Sequence, residues 1–412
     1  MTGGRVVPGN RWDLLDGVLP DEPPRVSVIV SHYRQPEQLA RTLTALRDQD
    51  HPPQRLEIIV ADDGSPEPPV VPPGVILVRQ EDEGFRLAAA RNLGAARATG
   101  DVLVFLDADT TPERGFVREL TRLPSLAPDC VTVGRRRHAD LDGVDPGLAI
   151  AEAVTGRELE EPSWLQDAYR RSRDLKDADD RSYRYLIGAV LACSRAFFAE
   201  VGPFDEGFTR YGGEDWEWAY RAWIRGAVLA HVPQAVAWHD GPDAAGRADA
   251  DPAAKDAEAL RLADVIPVPG SRGHGIHPEK VDVVVVPPRD ASDAESFVSV
   301  DSALAVLAGA EPAADGARFD RVRIRVEIER PVRVHGEQLA DLVRRVSRER
   351  LGELVVHDSD GTILVRIVST RAAARSRRWA RDDLFRVEGV VARDLSPLRA
   401  DVDLEAYLGG WG

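Results

Sequence analysis

Val102-Leu103-Val104-Phe105-Leu106-Asp107-Ala108-Asp109 is the segment from which the architecture can be inferred. Five consecutive apolar residues that end in acids are typical of a strand buried on both faces of a parallel sheet. Open α/β sheets bind ligands at the carboxyl ends of such strands, where Asp107 and Asp109 stand on either side of a small alanine. Carboxylate oxygens are the ligands that Mg²⁺ and Mn²⁺ prefer. The segment therefore predicts a divalent-metal site at one edge of an α/β sheet.

Strands and helices alternate on both sides of this segment. Strands are predicted at 25–30, 56–60, 75–78, 102–106 and 186–192, and helices at 36–48, 87–98, 162–173 and 214–225. Such alternation predicts an α/β fold with a mainly parallel sheet and helices on both faces. Asp62 and Asp63 end the second strand, so we expect them on the same rim as Asp107 and Asp109.

Composition limits the classes of function. The chain has 412 residues, 43% of them apolar, which favours two or three globular domains. A formal net charge of −16 argues against a nucleic-acid partner, although a nucleotide whose diphosphate is neutralised by a metal stays compatible with it. The two cysteines, Cys130 and Cys193, lack metal-ligand spacing and are predicted to pack in the core.

The predicted organisation has four parts. An N-terminal extension covers 1–24, an α/β domain 25–268, a linker 269–280 and a smaller accessory α/β domain 281–412. Residues 135–182 read as a charged insertion. No apolar stretch reaches the roughly 20 residues that span a bilayer, and the N-terminus lacks a signal-peptide core, so a cytoplasmic location is expected. Peripheral membrane contact and homodimerisation stay open.

Two segments of the accessory domain have alternative interpretations. Residues 352–361 consist of a glycine, an acid, an apolar run and then Asp358-Ser359-Asp360-Gly361. Residues 100–109 have a similar order, which is compatible with a degenerate half-repeat. The alternative is a hairpin turn at Asp358 to Gly361. Residues 371–381 form a locally basic helix, read either as a solvated face or as a contact for anionic lipid or a phosphorylated acceptor.

Several motifs in order resemble a known family over residues 25–240. They are Val28-Ile29-Val30-Ser31-His32-Tyr33-Arg34, Ile58-Ile59-Val60-Ala61-Asp62-Asp63-Gly64-Ser65, Ala90-Arg91-Asn92-Leu93-Gly94-Ala95 and Phe105-Leu106-Asp107-Ala108-Asp109. Together they resemble the nucleotide-sugar half of family 2 glycosyltransferases with the GT-A fold. Gly202-Pro203-Phe204-Asp205-Glu206 and Tyr211-Gly212-Gly213-Glu214-Asp215-Trp216 resemble the acceptor motif of β-1,4-galactosyltransferases and chondroitin-type polymerases.

The resemblance implies a UDP-sugar donor and assigns residues to it. Asp62 would bind the uracil ring and Asp63 would lie near the ribose. Further base, ribose, diphosphate or sugar contacts would come from Ser31, Tyr33, Arg34, Arg86, Arg91 and Asn92. The alternatives are a simple turn at Asp62 to Ser65 and solvated helix positions for Arg86 and Arg91.

By the same resemblance Asp109 contacts the metal, Asp107 reaches ribose or metal through water, and His239 is a further metal ligand. A histidine with carboxylates favours Mn²⁺ over Mg²⁺. The alternative for a lone histidine is a packing role.

On the acceptor side Asp215 is the predicted base and Glu214 orients the acceptor hydroxyl, which implies an inverting displacement. Gly213 and Trp216 would contact the acceptor. Acids are also favoured at a helix start whatever their function, and Trp216, Tyr220 and Trp223, which share one helical face, are also explained as core residues.

The leading hypothesis is an inverting, metal-dependent glycosyltransferase that uses a UDP-sugar and a hydroxyl acceptor. One alternative is a sugar-phosphate nucleotidyltransferase, but residues 31–36 do not form the Gly-rich basic loop expected after its first strand. The other is a non-catalytic sugar-nucleotide-binding scaffold, and the intact pairs Asp107/Asp109 and Glu214/Asp215 argue against it.

Overall fold

The computed structural model describes residues 4–210, 212–242, 252–276, 280–314, 319, 322–398 and 402–410. Contacts divide the chain into two compact units, Met1–Tyr220 with Ala227–Leu262, and Arg221–Gly226 with Ala263–Gly412. The domain boundaries predicted from the sequence stay predictions. Tyr211 of the acceptor motif and residues 277–279 of the predicted linker lie outside the described residues.

The first unit contains strands and helices in alternation. Its strands are β1 Val26–His32, β2 Leu56–Asp62, β3 Ile76–Arg79, β4 Val102–Asp107, β5 Thr110–Pro112, β6 Cys130–Ala139, β7 Glu158–Leu159, β8 Val190–Ser194 and β9 Val228–Asp240. Its helices are α1 Pro36–Arg47, α2 Leu87–Arg97, α3 Phe116–Leu126, α4 Ile150–Ala153, α5 Ser163–Ser172, α6 Arg195–Val201, α7 Glu214–Ile224 and α8 Pro252–Val265, of which the ends of α7 and α8 extend into the second unit.

Nine strands of the described chain form one sheet, in the order β3-β2-β1-β4-β8-β6-β9-β5, with β7 paired to β6. The strands β3, β2, β1 and β4 are mutually parallel, and their register pairs Ser31 with Asp107 and His32 with Asp62. The predicted α/β class is confirmed, and the acids of β2 and β4 do share one rim. Beyond β4 the sheet is mixed, because β8 runs antiparallel to both β4 and β6.

The predicted insertion at 135–182 is more regular than its composition indicated. Strand β6 extends to Ala139 and pairs in parallel with the long strand β9, while α5 forms close to its predicted bounds. Strand β5 pairs antiparallel with β9, opposing Thr110 to His239. The pairing of β5 with β9 thus brings His239 next to the end of β4.

Helix α2 packs on the parallel strands through small residues. Ala88 and Ala90 are buried, and a Cβ added to Gly94 would lie 2.4 Å from Cγ2 of Ile29 in β1. Interiors are packed too closely to absorb such an overlap without a shift of backbone or side chain. The alanine and glycine content of α2 is therefore what lets the helix approach β1.

The N-terminal segment, predicted as an extension, is part of the core of the first unit. Val7 and Leu15 are buried in a cluster with residues of α3, β6 and β9. Asn10 holds the segment in place: its Nδ2 donates to the carbonyl oxygens of Leu175 at 2.6 Å and Leu229 at 2.8 Å, and its Oδ1 accepts from the Leu229 N–H.

Replacing Asn10 with Ala is expected to lower the free energy of unfolding by about 3 kcal/mol, since buried backbone groups lose their partners. Urea unfolding followed by tryptophan fluorescence measures this loss. Asp16→Ala, at an exposed position of the same segment, is the matched control. Equal unfolding midpoints for Asn10→Ala and Asp16→Ala would contradict the anchoring role of Asn10.

The second unit has its own sheet. Its strands are β10 Val283–Val286, β11 Glu311–Pro312, β12 Ile324–Ile328, β13 Val332–Val334, β14 Glu353–His357, β15 Ile363–Ser369, β16 Val387–Val391 and β17 Leu395–Pro397. Its helices are α9 Asp293–Val306, α10 Gln338–Arg348, α11 Thr370–Trp379 and α12 Leu404–Tyr407. Among the residues described, six of these strands pair in the order β11-β10-β12-β15-β14-β16, and β13 pairs with β17.

Residues 358–361 form a hairpin turn. The Gly361 N–H donates to the Asp358 carbonyl oxygen, and β14 pairs antiparallel with β15. In the first unit, by contrast, the acid-bearing strand β4 lies directly beside β1 and parallel to it. The hairpin interpretation is therefore confirmed for this segment, and the strand order does not reproduce that of the first unit.

The basic helix α11 is used partly for packing. Arg371 and Arg375 are buried, and the Arg371 guanidinium carbon lies 3.8 Å from the ring centre of Trp223 within the same unit. Arginine stacks well on aromatic faces because its planar cation is weakly hydrated. The predicted solvated face is thus wrong for these two arginines, while Arg377 and Arg381 are exposed. In the described part of the chain no helix is long and apolar enough to cross a bilayer.

Candidate active site

Asp62 lies at the rim of the sheet but its oxygens are already engaged. Oδ1 accepts from His32 Nδ1 at 2.7 Å and Ser65 Oγ at 2.6 Å, while Oδ2 accepts from Arg79 Nε and the Ser65 N–H. Burial by itself would raise the pKa of Asp62, but the hydrogen bonds from Ser65, Arg79 and His32 outweigh it and lower the pKa. These four bonds use the four lone-pair directions of a carboxylate. The geometry favours a role for Asp62 in holding His32, Ser65 and Arg79 in position at the rim of the sheet. Its predicted contact with uracil stays a prediction.

His32 was not assigned a role from the sequence, although it lies in a quoted motif. Its Nδ1 bonds to the Asp62 carboxylate and its Nε2 accepts from the Gln35 N–H at 3.2 Å. A carboxylate only accepts, and an N–H only donates, so the ring is a neutral imidazole protonated at Nδ1. His32 therefore connects the end of β1 to Asp62 and to the start of α1.

Asp63 binds the segment that precedes α2. Its Oδ2 accepts from the Arg86 N–H at 2.9 Å and its Oδ1 from Gln80 Nε2 at 2.5 Å. Burial raises the pKa of Asp63, and these hydrogen bonds only partly offset that effect. The simple-turn alternative does not account for these contacts, because both partners lie in the segment between β3 and α2. A ribose contact for Asp63 stays a prediction.

The three residues predicted to contact the base and ribose lie at the end of β1 or directly after it, and they differ in their surroundings. Ser31 is buried, and its Oγ has no hydrogen-bond partner among the described residues. Tyr33 is 37% exposed and its hydroxyl donates to Asp82, with the Arg34 guanidinium carbon 4.8 Å from its ring centre. An exposed aromatic ring at the rim provides a surface on which a planar base can stack.

Asp109 and His239 are brought together by the pairing of β5 with β9. His239 Nε2 lies 3.6 Å from Asp109 Oδ2, which also accepts from Gln35 Nε2 at 3.1 Å. His239 Nδ1 is 3.1 Å from the Gly241 carbonyl oxygen, to which it donates. This bond orients the ring so that its Nε2 faces Asp109, as in metal-binding histidines that donate from the other ring nitrogen to a backbone carbonyl.

A divalent cation fits this pair of side chains as a partial ligand set. Within the described residues no three His, Cys, Asp or Glu side chains are arranged to hold an ion, so the predicted trio with Asp107 is not assembled. The reason is that Asp107 faces Arg91 instead of Asp109. Asp109 and His239 supply one oxygen and one nitrogen, and a site of this kind requires further ligands from a bound diphosphate or water.

Arg91 joins the two acidic pairs. Its guanidinium donates from Nη2 to Asp107 Oδ1 at 3.0 Å and from Nη1 to Glu214 Oε1 at 2.7 Å. The side chain is only 2% exposed, which rules out the solvated alternative. Although burial opposes the charged form, Asp107 and Glu214 raise the pKa of Arg91, so the cation is retained. The predicted contact of Arg91 with the donor stays a prediction beside this observed role.

Asn92 and Arg86 face the loop before α7. Asn92 Nδ2 donates to the Phe204 carbonyl oxygen and to Glu206, and its Oδ1 accepts from the Phe204 N–H. Arg86 pairs with Glu83, and its Nη2 lies 3.7 Å from Glu206. Asn92 thus fixes the acceptor-side loop to α2, and neither residue is placed against the Asp109–His239 pair.

Two neighbouring acids, the buried Glu214 and the half-buried Asp215, stand at the start of α7. Burial and, next, the charge of Asp215 raise the pKa of Glu214, Arg91 lowers it, and the resulting pKa is about 7. Burial also raises the pKa of Asp215, although its oxygens accept from the N–H groups of Gly188 and Trp216, both at 2.8 Å. A carboxylate with a raised pKa is a stronger base than a solvated one, as a proton acceptor at neutral pH requires.

The pKa of Glu214 gives a prediction for stability. The pKa of Glu214 is about 7 in the folded protein and 4.5 ordinarily, so the folded state binds the carboxyl proton more tightly than the unfolded state does. This difference adds to the free energy of unfolding in full below pH 4.5, and the contribution is lost as pH rises towards 7. The loss amounts to at most about 3 kcal/mol. In Glu214→Gln it should disappear. Urea midpoints at pH 5, 6, 7 and 8 test this, with Asp142→Asn as the exposed control, and parallel curves for wild type and Glu214→Gln would contradict it.

The two glycines before Glu214 are required by the backbone. Gly212 and Gly213 have φ of +96° and +92°, and a Cβ on Gly213 would lie 2.8 Å from the Phe208 ring. L-residues with side chains avoid such φ values. Trp216 is half-buried and meets Tyr183 edge to face, whereas Tyr220 and Trp223 are buried. The core interpretation is confirmed for Tyr220 and Trp223, and acceptor contacts of Gly213 and Trp216 stay predictions.

Comparison with known proteins identifies this region. Residues 27–200 match the family model for glycosyl transferase family 2, and residues 176–237 match a model described as the N-terminal domain of galactosyltransferase. The two matches cover the donor-side and acceptor-side motifs respectively. They confirm the resemblance inferred from the sequence motifs.

Individual relatives align with about half of the chain. The hyaluronan synthase of Pasteurella multocida is 28% identical over 53% of this chain and 24% of its own length. The chondroitin synthase of Escherichia coli is 29% identical over 53% and 35%, and the validoxylamine A glucosyltransferase of Streptomyces hygroscopicus subsp. limoneus is 32% identical over 50% and 49%. The chain therefore spans a quarter to a half of the length of these relatives. Among solved structures, GalNAc-T7 with UDP, GalNAc and Mn²⁺ is 22% identical, with a TM-score of 0.40 over 55% of this chain and 45% of that chain.

Proposed function

We propose, from the match of residues 27–200 to glycosyl transferase family 2, that the chain transfers a sugar from a UDP-sugar to an acceptor hydroxyl with inversion. The observation that carries the proposal is the bridge through Arg91. It connects Asp107 of the donor-side rim to Glu214 of the acceptor-side motif. Because one guanidinium binds an acid from each pair, the bridge supports a single site for both pairs, as a transfer between two bound substrates requires.

The donor would occupy the rim formed by β1, β2 and β4. Tyr33 offers an exposed ring for the uracil, and the buried hydroxyl of Ser31 lies beside Asp107 in the strand register. Asp63, Arg86 and Arg91 would complete the nucleotide-sugar side. Asp62 would act through the groups that it holds, His32 and Arg79, since its own oxygens are occupied.

Asp109 and His239 would hold the divalent cation, with Mn²⁺ favoured by the nitrogen ligand. When bound, the cation neutralises the diphosphate and so makes UDP a better leaving group. Asp107 would contribute from the second coordination sphere or to the ribose, because Arg91 already binds one of its oxygens. Gln35 would orient the Asp109 carboxylate.

Asp215 would remove the proton of the acceptor hydroxyl. Each of its oxygens accepts one backbone N–H, from Gly188 or Trp216, which fixes the carboxylate and leaves a lone pair on each oxygen for the acceptor. A base-assisted hydroxyl that attacks opposite the leaving group inverts the anomeric centre without a protein nucleophile.

The names of the relatives support sugar transfer to a hydroxyl-bearing substrate. Two are synthases of polysaccharides and one is a glucosyltransferase of a small molecule. The match to glycosyl transferase family 2 favours this function over the nucleotidyltransferase alternative, and the assembled acids favour it over a scaffold.

Release of UDP from a panel of UDP-sugars, with Mn²⁺ and with EDTA, tests the proposal. We expect slow hydrolysis of one donor in the absence of an acceptor, lost with EDTA and restored by Mn²⁺. Anomeric configuration of the transferred sugar, read by proton NMR, tests inversion. If no donor is turned over and UDP does not bind with Mn²⁺, the proposed function is wrong.

A further inference from the structure

Helix α8 brings a third carboxylate to the acceptor side of the site, beyond the residues covered by either family match. Glu258 lies against the backbone of Gly212, where an added Cβ would be 2.7 Å from Glu258 Oε1. The side chain is half-buried, and within the described residues its carboxylate forms no hydrogen bond or ion pair with the protein. Because Gly212 has no side chain, the Glu258 carboxylate can lie against the backbone two residues before Glu214.

Glu214 has an oxygen that the protein does not use. The side chain is 3% exposed, and its Oε1 accepts from Arg91. Its Oε2 is buried and has no hydrogen-bond partner among the described residues. A buried carboxylate oxygen without a donor is costly, so an oxygen of this kind indicates a place for a ligand group that donates.

The two acids are close enough to affect each other. Burial raises the pKa of Glu258, and the charge of Glu214 raises it further, while Lys255 one turn earlier on α8 lowers it. Lys255 is exposed, whereas Arg91 is already bound to two acids. Arg91 is thus shared between Asp107 and Glu214, and Glu258 has the exposed Lys255 as its nearby cation.

We propose that Glu258 and Oε2 of Glu214 form an acceptor subsite that accepts hydrogen bonds from hydroxyl or ammonium groups, so that the acceptor is a neutral or amine-bearing polyol and not an acid. This inference rests on the proposed transferase function. A hydroxyl or ammonium donates to both carboxylates, and an ammonium also gains from their charge. A carboxylate or sulfate on the acceptor would instead face like charges in a site of low dielectric.

A matched series of methyl β-glycosides tests the subsite: the glucoside, the 2-amino-2-deoxyglucoside and the glucuronide, which differ in one group each. UDP release with the donor identified above is measured with and without each glycoside, for wild type, Glu258→Gln and Asp256→Asn. Asp256 is an exposed acid on the same helix and serves as the matched control.

We expect the glucoside and the aminoglucoside, but not the glucuronide, to change the rate of UDP release by wild type and Asp256→Asn. In Glu258→Gln the preference for the aminoglucoside over the glucuronide should fall about tenfold, since a charged hydrogen bond is replaced by a neutral one. An unchanged preference in Glu258→Gln, a preference of wild type for the glucuronide, or no response to any glycoside would overturn the inference. Failure of the transferase function itself would be seen separately, as absence of UDP release from every donor.

Discussion

Replacement of Asp109 by Ala is expected to lower metal-dependent UDP release about a thousandfold. Asp109 Oδ2 lies 3.6 Å from His239 Nε2. Without it, a cation would be held by a single protein nitrogen, and the diphosphate would leave with its charge uncompensated. The rate of UDP release is measured across a Mn²⁺ titration with the donor that wild type accepts.

Asp142→Ala is the matched control, because Asp142 is exposed and lies in the same half of the domain. Its Mn²⁺ dependence should equal that of wild type. His239→Gln should require more Mn²⁺ for half-maximal rate, since an amide oxygen is a weaker ligand for this ion than imidazole. If Asp109→Ala retained the wild-type response to Mn²⁺, the metal would have to be bound elsewhere or not be needed.

Asp215→Asn is expected to lower kcat for transfer by about 10² to 10⁴, the usual loss when a positioned base is removed. Asparagine keeps the size of the side chain, and its Oδ1 can still accept one of the two N–H groups now bound by Asp215. The variant therefore tests proton removal with little change in shape. Glu258 and Glu214 remain, but neither is held by the Gly188 and Trp216 amides.

The comparison with Glu214→Gln decides which acid is the base. If Glu214 orients the acceptor, Glu214→Gln should mainly raise KM for the acceptor, while Asp215→Asn should mainly lower kcat. A larger loss of kcat in Glu214→Gln than in Asp215→Asn would exchange the two roles. Asp256→Asn, which changes an exposed acid of the same unit, should match wild type in both constants.

The features that could be predicted from the sequence depend on short-range patterns. The run Val102 to Leu106 is buried in β4, and the acids after β2 and β4 meet at one rim because parallel strands end at the same edge. The family resemblance implied that His239 and Asp109 share a metal. Their closeness in the structure results from the pairing of β5 with β9, which no local pattern indicates.

The features that could not be predicted depend on distant partners. No sequence pattern indicated that His32, Ser65 and Arg79 together bind the oxygens of Asp62. Their positions follow only from the folded rim. The sequence likewise gave no indication of a role for Glu258, because this residue lies on a charged helix outside the family motifs. Only the folded structure shows its carboxylate against Gly212, close to Glu214 in the chain.

The Arg91 bridge limits how the enzyme can change by recombination. Arg91 and Glu214 are 123 positions apart, and each belongs to a segment matched by a different family model. A chimaera that exchanged residues 201–237 for those of a relative without an acid at position 214 would leave a buried guanidinium with one partner fewer, at a cost of about 3–5 kcal/mol. The segments matched by the two family models are therefore not independent modules: a new segment 201–237 must carry a partner for Arg91 to be tolerated.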